Sequence, residues 1–253
     1  MRRITTATAT LLLVSVAAAL VVAGEPDPLQ LLHKCRDTCA RVKDYTSTLT
    51  QREFLRGKLQ NTEIAFVKFR REPVSIYAKW IGESHKGREG IYVKGKNKDM
   101  IVGHEFIGPL NVTKNIKADG PEARKNSRRK ISEGGLLGTA RTFLRYVEMG
   151  KQNKDMRLYY GGVETFDGRP VHVIIRVLGK RKGYPAYMTM VYIDKERLLP
   201  VKSVGYDWDY RLLWLYSNVD VKTNVGLTDK DFDPKNKKYD YPRMISFKIP
   251  KLF

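Results

Sequence analysis

Apolar and polar residues alternate along most of the chain, which is the pattern of β-strands that bury one face. In two of the clearest stretches, Val74, Ile76 and Trp80 alternate with other residues, and so do Val171 and Val173. Turn-forming residues separate these stretches at intervals of about eight to twelve residues. Because few helical segments stand between successive strands, the pattern predicts hairpins and an antiparallel sheet. About eleven strands are predicted, over residues 45–54, 60–70, 74–80, 89–93, 100–102, 107–116, 155–165, 171–177, 187–193, 198–206 and 212–221.

Two segments follow the helical period instead. Between residues 28 and 43, apolar residues recur at intervals of three and four after an Asp-Pro pair that suits a helix start. A second helix is predicted over residues 136–149, with Gly150 as its C-terminal cap. Its apolar face would be formed by Leu136, Ala140, Phe143, Leu144 and Val147. Elements of these types in this order predict an α+β fold with an antiparallel sheet.

The N-terminus has the features of a signal peptide. Arg2 and Arg3 precede an apolar run over residues 11–22, and small residues follow at Ala23 and Gly24. The run is short for a membrane span, and an uncleaved anchor is the alternative interpretation. We expect residues 1–24 to be removed. Residues 25–253 would then form a single domain with a polar tail from residue 224, in the periplasm or outside the cell.

The chain is strongly basic, with a net charge of +20 and a pI of 9.9. Such a balance favours polyanions or anionic surfaces as partners. Residues 117–130 carry much of this charge, show no periodicity and are predicted to form a loop. Two interpretations stay open for this loop: a solvated surface, or a basic mouth that faces an anion. The anion-facing residues would be Arg124, Lys125, Arg128, Arg129 and Lys130.

The two cysteines of the chain, Cys35 and Cys39, would lie on one face of the first helix. A disulfide is one interpretation for a chain in an oxidising compartment, although helical geometry at this spacing strains the bridge. The other interpretation is a pair of small side chains buried in the core. The C-x-x-C spacing of redox pairs is absent.

No motif of catalysis or metal binding stands out in the sequence. The four histidines lack a second histidine at ligand spacing, and there is neither a G-x-S-x-G elbow nor a phosphate-binding glycine loop. Asp229, Asp231, Asp233 and Asp240 partly match a calcium loop, but Pro234 stands where that loop needs glycine. We therefore expect a non-enzymatic protein without a catalytic residue, a metal or a cofactor.

Aromatic and aliphatic side chains are numerous enough to line a cavity as well as to fill a core. Because binding cavities are mainly apolar, this abundance favours an apolar ligand, although most of the aromatic residues must belong to the core. The residues expected to line the cavity are Phe66, Phe69, Ile76, Trp80, Phe106, Phe143, Leu144 and Trp214.

Several longer motifs resemble those of a family of exported bacterial proteins of unknown function. They extend over most of the chain, from residue 44 to residue 239, with Lys130 departing from the pattern, which has proline there. The motifs are Asp44-Tyr45-Thr46, Gln51-Arg52-Glu53, Lys68-Phe69-Arg70-x-x-Pro73-x-Ser75-Ile76-Tyr77, Lys86-Gly87-Arg88-Glu89, Tyr92-Val93-x-Gly95-Lys96-Asn97, Tyr192-Ile193-Asp194, Leu199-Pro200-Val201 and Asn224-Val225-Gly226-Leu227-Thr228-x-x-Asp231-Phe232-Asp233.

That family is similar in shape to the periplasmic lipoprotein carriers LolA and LolB. The resemblance implies a strongly curved antiparallel sheet, an incomplete barrel whose open side is plugged by helices and whose concave face holds acyl chains. It brings no catalytic residues. The implied function is binding of a lipid or an acylated protein in the bacterial envelope, as a carrier or otherwise. The alternative is an interaction module without a ligand cavity that binds anionic envelope surfaces by charge. No nucleic acid is expected as a partner, and the oligomeric state stays open.

Overall fold

One antiparallel sheet makes up most of the computed structural model, which describes residues 24–242. The predicted signal peptide and the last residues of the polar tail therefore lie outside the described part. The predicted fold class is confirmed: the sheet is antiparallel and open, with helices packed on one face. The strands are β1 (Asp44–Leu55), β2 (Lys58–Leu59), β3 (Glu63–Arg70), β4 (Ser75–Trp80), β5 (Glu89–Val93), β6 (Met100–Ile107), β7 (Leu110–Lys117), β8 (Met156–Phe166), β9 (Arg169–Leu178), β10 (Met188–Asp194), β11 (Pro200–Tyr206) and β12 (Leu212–Thr223). The helices are α1 (Pro28–Arg41), α2 (Pro121–Asn126) and α3 (Gly135–Gln152), with 3-10 turns at Asn97–Asp99, Ile131–Glu133 and Asp229–Phe232.

The strand order places the first and the last of the described strands, β1 and β12, side by side. It runs β7-β6-β5-β4-β3-β1-β12-β11-β10-β9-β8, with the short β2 paired to β1. The two edge strands, β7 and β8, do not pair with each other, so the sheet does not close. We call the face covered by α1 and α3 the inner face, and the opposite one the outer face.

Two details of the predicted strands are corrected by the structure. The strand predicted over residues 107–116 is the second half of a hairpin, because β6 continues to Ile107 and β7 begins at Leu110. Gly108 and Pro109 form the turn, and Gly108 has φ +59, which glycine adopts without a Cβ clash. The one strand of the structure that the pattern does not predict is β2, whose two residues are too few to show alternation.

The two long helices begin where the sequence predicts them. The side chain of Asp27 caps α1 by accepting a hydrogen bond from the amide of Leu29 at 2.8 Å. α3 buries the predicted apolar face but extends to Gln152, so Gly150 is not its cap. A Cβ on Gly150 would lie 2.5 Å from Cβ of Met156, which shows that this glycine lets the helix approach β8 closely. None of the helices in residues 24–242 has the length and apolarity needed to cross a membrane.

A third helix interrupts the predicted basic loop. α2 has six residues and begins with Pro121, a residue that favours the first turn of a helix. The segment was predicted as a loop because so short a helix shows no apolar periodicity.

The main core lies between the inner face and the helices α1 and α3. Cys35 and Cys39 belong to it as buried thiols and form no disulfide, in keeping with the parallel side-chain directions at this helical spacing. A hydrogen bond with Cys39, together with burial, raises the pKa of the Cys35 thiol. In this structure, the two cysteines are therefore small side chains buried in the core and are not bridged.

The outer face of β3–β5 is covered by residues 224–242, which we call the C-terminal segment. Its start forms a capped turn, in which Thr228 and Asp231 cap each other. Tyr239 stacks on Tyr77 with ring centroids 4.1 Å apart, and Lys68 forms an ion pair with Asp231 at 2.7 Å. The stretch predicted as a polar tail is thus packed on the sheet as far as residue 242.

Acid is expected to loosen the C-terminal segment. Hydrogen bonds from Arg70 to Asp229 and from Lys79 to Asp240 lower the pKa of both carboxyl groups. Since the folded state has the lower pKa values, this stabilisation is present above the unfolded pKa of about 3.9 and is lost as the pH falls through the folded values. Amide protection factors in residues 224–242 should therefore decrease below about pH 4. Amides of β9 and β10 serve as the control, and an equal loss of protection in those strands would contradict the prediction.

Candidate ligand-binding cavity

A cavity of about 460 Å³ lies on the inner face, on the side of the sheet that α3 does not cover. Its floor is the inner face of β1 and β3–β7, and its roof consists of residues 119–139, which include α2 and the start of α3. The volume is within the usual range of small-molecule sites. The apolar floor includes Leu49, Ala65, Val67, Phe69, Ile76 and Ala78.

Small residues in register across four strands create this space. Val67 of β3 pairs with Ala78 of β4, Ala78 pairs with Gly90 of β5, and Gly90 pairs with Gly103 of β6. We call this row the trough. Three steps between neighbouring strands make it roughly 14 Å long. Because side chains in one row project from the same face, the small residues leave a continuous groove in the floor.

Most of the carboxylates that line the cavity already have partners. Glu63 accepts hydrogen bonds from Gln51 at 2.7 Å and from the indole of Trp80 at 2.8 Å. Glu105 forms an ion pair with Arg88 at 2.5 Å, and this hydrogen bond lowers the pKa of Glu105. These groups hold the floor in place and leave little uncompensated negative charge within it.

Arg129 is a half-buried cation of the roof that lines the cavity. Its guanidinium lies over the ring of Tyr216, 4.5 Å from the centroid, and the side chain is half-buried. Burial raises the pKa of Tyr45 and of Tyr216, and the nearby charge of Arg129 opposes both shifts. Arg129 forms no ion pair with any carboxylate in residues 24–242. A half-buried cation in this position can receive an anionic group from a ligand.

The roof is joined to the floor through Glu53, which is 4% exposed. Its carboxylate accepts hydrogen bonds from the backbone amide of Arg128 at 3.0 Å, from the hydroxyl of Ser127 at 3.4 Å and from the hydroxyl of Tyr216. The donors come from the roof and from β12, while Glu53 itself belongs to β1. This one carboxylate therefore fixes the height of the roof above the trough.

Three of the residues predicted to line an apolar cavity do so, namely Phe69, Ile76 and Trp80. Phe66 has the opposite strand parity and packs in the outer-face cluster. Phe106 is 53% exposed at the tip of the β6–β7 hairpin.

Phe143, Leu144 and Trp214 are also placed away from the cavity lining. Phe143 and Leu144 lie in the main core, where Phe143 contacts the guanidinium of Arg176. Trp214 lies on the inner face of β12 but covers Gly205, where a Cβ would be 2.3 Å from its ring. Phe143 and Leu144 pack from α3 onto the main core, and Trp214 packs in a separate buried cluster with Ala186 and Leu213, so these side chains belong to packing and not to the cavity.

Of the five basic residues predicted to face an anion, Arg124, Arg129 and Lys130 line the cavity. Lys125 is exposed on α2. Arg128 donates from its guanidinium to the carbonyl of Phe54 at 3.3 Å, so it joins the roof to β1. The basic loop is thus a roof that turns three of its five cations towards the cavity and holds a fourth, Arg128, against β1.

Several lining residues were not identified from the sequence. Glu63 begins β3, whose other inward residues are apolar, and this break in the pattern is a signal that could have marked it. Gln51 lies inside β1, where other inward residues such as Ser47 are also polar, so no such signal marks it. Asn218, Lys114 and Tyr216 carry no such signal, because only strand register brings them to the cavity. Among the described residues, no group of three or more His, Cys, Asp or Glu side chains is arranged to hold a metal ion.

Replacing Glu53 should release the roof. In Glu53→Ala, the amide of Arg128 and the hydroxyl of Tyr216 lose their acceptor, which should lower the free energy of unfolding by about 2–3 kcal/mol. Urea denaturation measures this change. Glu122→Ala, which removes an exposed carboxylate of α2, is the matched control and should change stability by less than about 0.5 kcal/mol. Equal effects of the two substitutions would show that Glu53 does not hold the roof.

The chain is similar to several solved structures at low sequence identity. LppX of Mycobacterium tuberculosis is 16% identical, with 82% of this chain and 100% of that chain covered and a TM-score of 0.47. MucB of Pseudomonas aeruginosa, solved as a complex with MucA, is 13% identical over 82% of this chain and 61% of that chain, with a TM-score of 0.47. A LolA superfamily protein of Nitrosomonas europaea is 10% identical over 83% and 98% of the two chains, with a TM-score of 0.33. At these identities and scores, the likenesses say nothing about what the chain binds.

Sequence comparison confirms the resemblance to a family of unknown function. No curated protein sequence matches the chain. Residues 42–241 match the family described as "Protein of unknown function (DUF1571)", a range that includes every strand and the whole cavity. The chain therefore belongs to the DUF1571 family.

Proposed function

We propose that this protein binds a lipid or an acylated protein, with an acyl chain in the trough and an anionic group beside Arg129. The observation that carries the proposal is the cavity of about 460 Å³, with its apolar floor and its unpaired internal cation. Each methylene that leaves water for the cavity contributes about 0.8 kcal/mol, so a chain of several methylenes supplies the affinity. The guanidinium of Arg129 then selects among apolar ligands for those with a carboxylate or phosphate.

The form of the cavity supports an elongated ligand. The trough crosses the strands from Val67 towards Gly103, and Lys114 of the edge strand continues the same row. Arg129 and Tyr216 lie at the other side, next to β12. A linear chain can follow this row, whereas a compact ring system would not use its length.

The role is binding without catalysis in this proposal. Glu63 and Glu105 are engaged in hydrogen bonds that hold the floor, and Glu53 holds the roof. The predicted alternative, a charge-binding module without a ligand cavity, is less well supported because the inner face leaves this volume unfilled. Because residues 1–24 have the pattern of a signal peptide, we expect the protein to meet its ligand in the bacterial envelope.

Filling the trough should weaken binding of an acyl chain. A Cβ on Gly103 would lie 3.6 Å from its nearest neighbour, the carbonyl oxygen of Glu89, so Gly103→Leu fits the fold while occupying the groove. Its affinity for a dansylated fatty acid, followed by fluorescence titration, should fall about tenfold or more, the effect of losing at least two methylene contacts. Thr113→Leu, on the exposed outer face of β7, is the matched control and should bind as the wild type does. Unchanged binding by Gly103→Leu would exclude the trough as the site.

Arg129 should distinguish charged from neutral ligands. Arg129→Gln is expected to weaken the binding of laurate by about tenfold, the value of one hydrogen bond to a charged group. The affinity for dodecanol should stay the same, since its head has no charge. Arg141→Gln, an exposed arginine of α3, is the control. Isothermal titration with both ligands measures the difference, and an equal loss for laurate and dodecanol would show that Arg129 supports the roof only.

A further inference from the structure

The tip of the β6–β7 hairpin exposes five consecutive apolar residues, Phe106 to Leu110. The exposed fractions of Phe106, Ile107 and Leu110 are 53%, 52% and 64%. Gly108 and Pro109 between them are exposed as well. A contiguous exposed apolar group of this kind usually marks an interaction site.

The geometry of the tip presents these side chains together. Ile107 and Leu110 are paired across the two strands and flank a two-residue turn. Phe106 lies beside Gly87 of the neighbouring loop, 3.7 Å from the position that a Cβ would take there. The tip is therefore supported by the β4–β5 loop.

The edge beside this tip is basic. Residues 106–118 contain Lys114 and Lys117 and no acidic residue. α2, which follows β7, adds the exposed side chains of Arg124 and Lys125. The whole chain has a net charge of +20. Cations next to an apolar tip complement a surface that is apolar within and negatively charged outside.

We propose that the β6–β7 hairpin docks the protein on an anionic phospholipid bilayer, with Phe106, Ile107 and Leu110 inserted among the lipid chains. Lys114 on the same hairpin and Lys86 on the supporting β4–β5 loop then face the lipid phosphates, and the net charge of +20 adds a long-range attraction. A second copy of the chain fits this edge less well, because two edges with the same lysines would repel each other.

Docking in this way would bring the cavity next to the bilayer. Glu105, Val112 and Lys114 belong to the same hairpin and line the cavity. The inference does not depend on the proposed ligand, since the inserted side chains lie outside the cavity lining. A protein that binds no acyl ligand would still dock if the hairpin acts as we propose.

The test is flotation of the ligand-free protein with vesicles of phosphatidylglycerol and phosphatidylethanolamine. The double variant Ile107→Ser, Leu110→Ser should have a partition coefficient at least about tenfold lower than that of the wild type. Burial of one leucine or isoleucine side chain already contributes about a factor of ten. The matched control is Tyr159→Ser, Val163→Ser, which removes two exposed apolar side chains from the opposite edge strand β8. Urea denaturation of both variants verifies that the fold is retained.

The wild type and the control should float with the anionic vesicles, and binding to phosphatidylcholine vesicles should be weaker. Equal flotation of the two double variants would overturn the proposal. A wild-type protein that stays at the bottom of the gradient would overturn it too. So would a hairpin variant that loses a dimer seen by light scattering for the wild type while its flotation is unchanged. Fluorescence titration of the same variants with a dansylated fatty acid reports on the cavity separately.

Discussion

A buried carboxylate must be surrounded by hydrogen-bond donors, and at Glu53 this requirement joins three parts of the chain. The donors are the amide of Arg128, the hydroxyl of Ser127 and the hydroxyl of Tyr216. Two of these donors belong to the roof and the third to β12, so the carboxylate joins the roof to two strands of the sheet. The roof is therefore held above the trough by a polar contact at one side instead of collapsing onto it, and the apolar space beneath it persists.

The two halves of the inner face differ in what fills them. On the side of β8–β11, α3 packs directly on the sheet, and even the guanidinium of Arg176 is buried there, donating to the carbonyl of Phe143 at 3.0 Å and to Thr189 at 2.8 Å. Burial lowers the pKa of Arg176 to about 9. On the side of β3–β7, the helix begins only at Gly135, where a Cβ would lie 2.7 Å from the ring of Phe69. The helix thus starts as close to the sheet as the backbone permits, and the strands beyond it remain uncovered.

The sequence was a good guide to elements and a poor one to the cavity. Periodicity identified both long helices and the alternating strands, and strand parity places Phe69, Ile76 and Trp80 on one face. The same parity argues against Phe66, which is three residues from Phe69 and so points the other way. The trough could not be predicted, because Ala78, Gly90 and Gly103 come together only through the register of separate hairpins. Glu53 was missed for a similar reason, since its partners are distant in the chain.

The central position of β1 and β12 has a consequence for how the protein is made. Ser47 and Asn218 form a hydrogen bond at 3.0 Å although 171 positions separate them along the chain. During synthesis, β1 can pair with β3 early, but its other edge waits for a partner that is among the last parts to be produced. Until then, the side chains of Tyr45 and Leu49 in β1 are exposed to water. The nascent chain also carries an unpaired strand edge, with which other chains could pair. Assembly of the binding cavity is consequently a late event that depends on long-range contacts. A truncation that removes β12 would leave β1 unpaired along one edge.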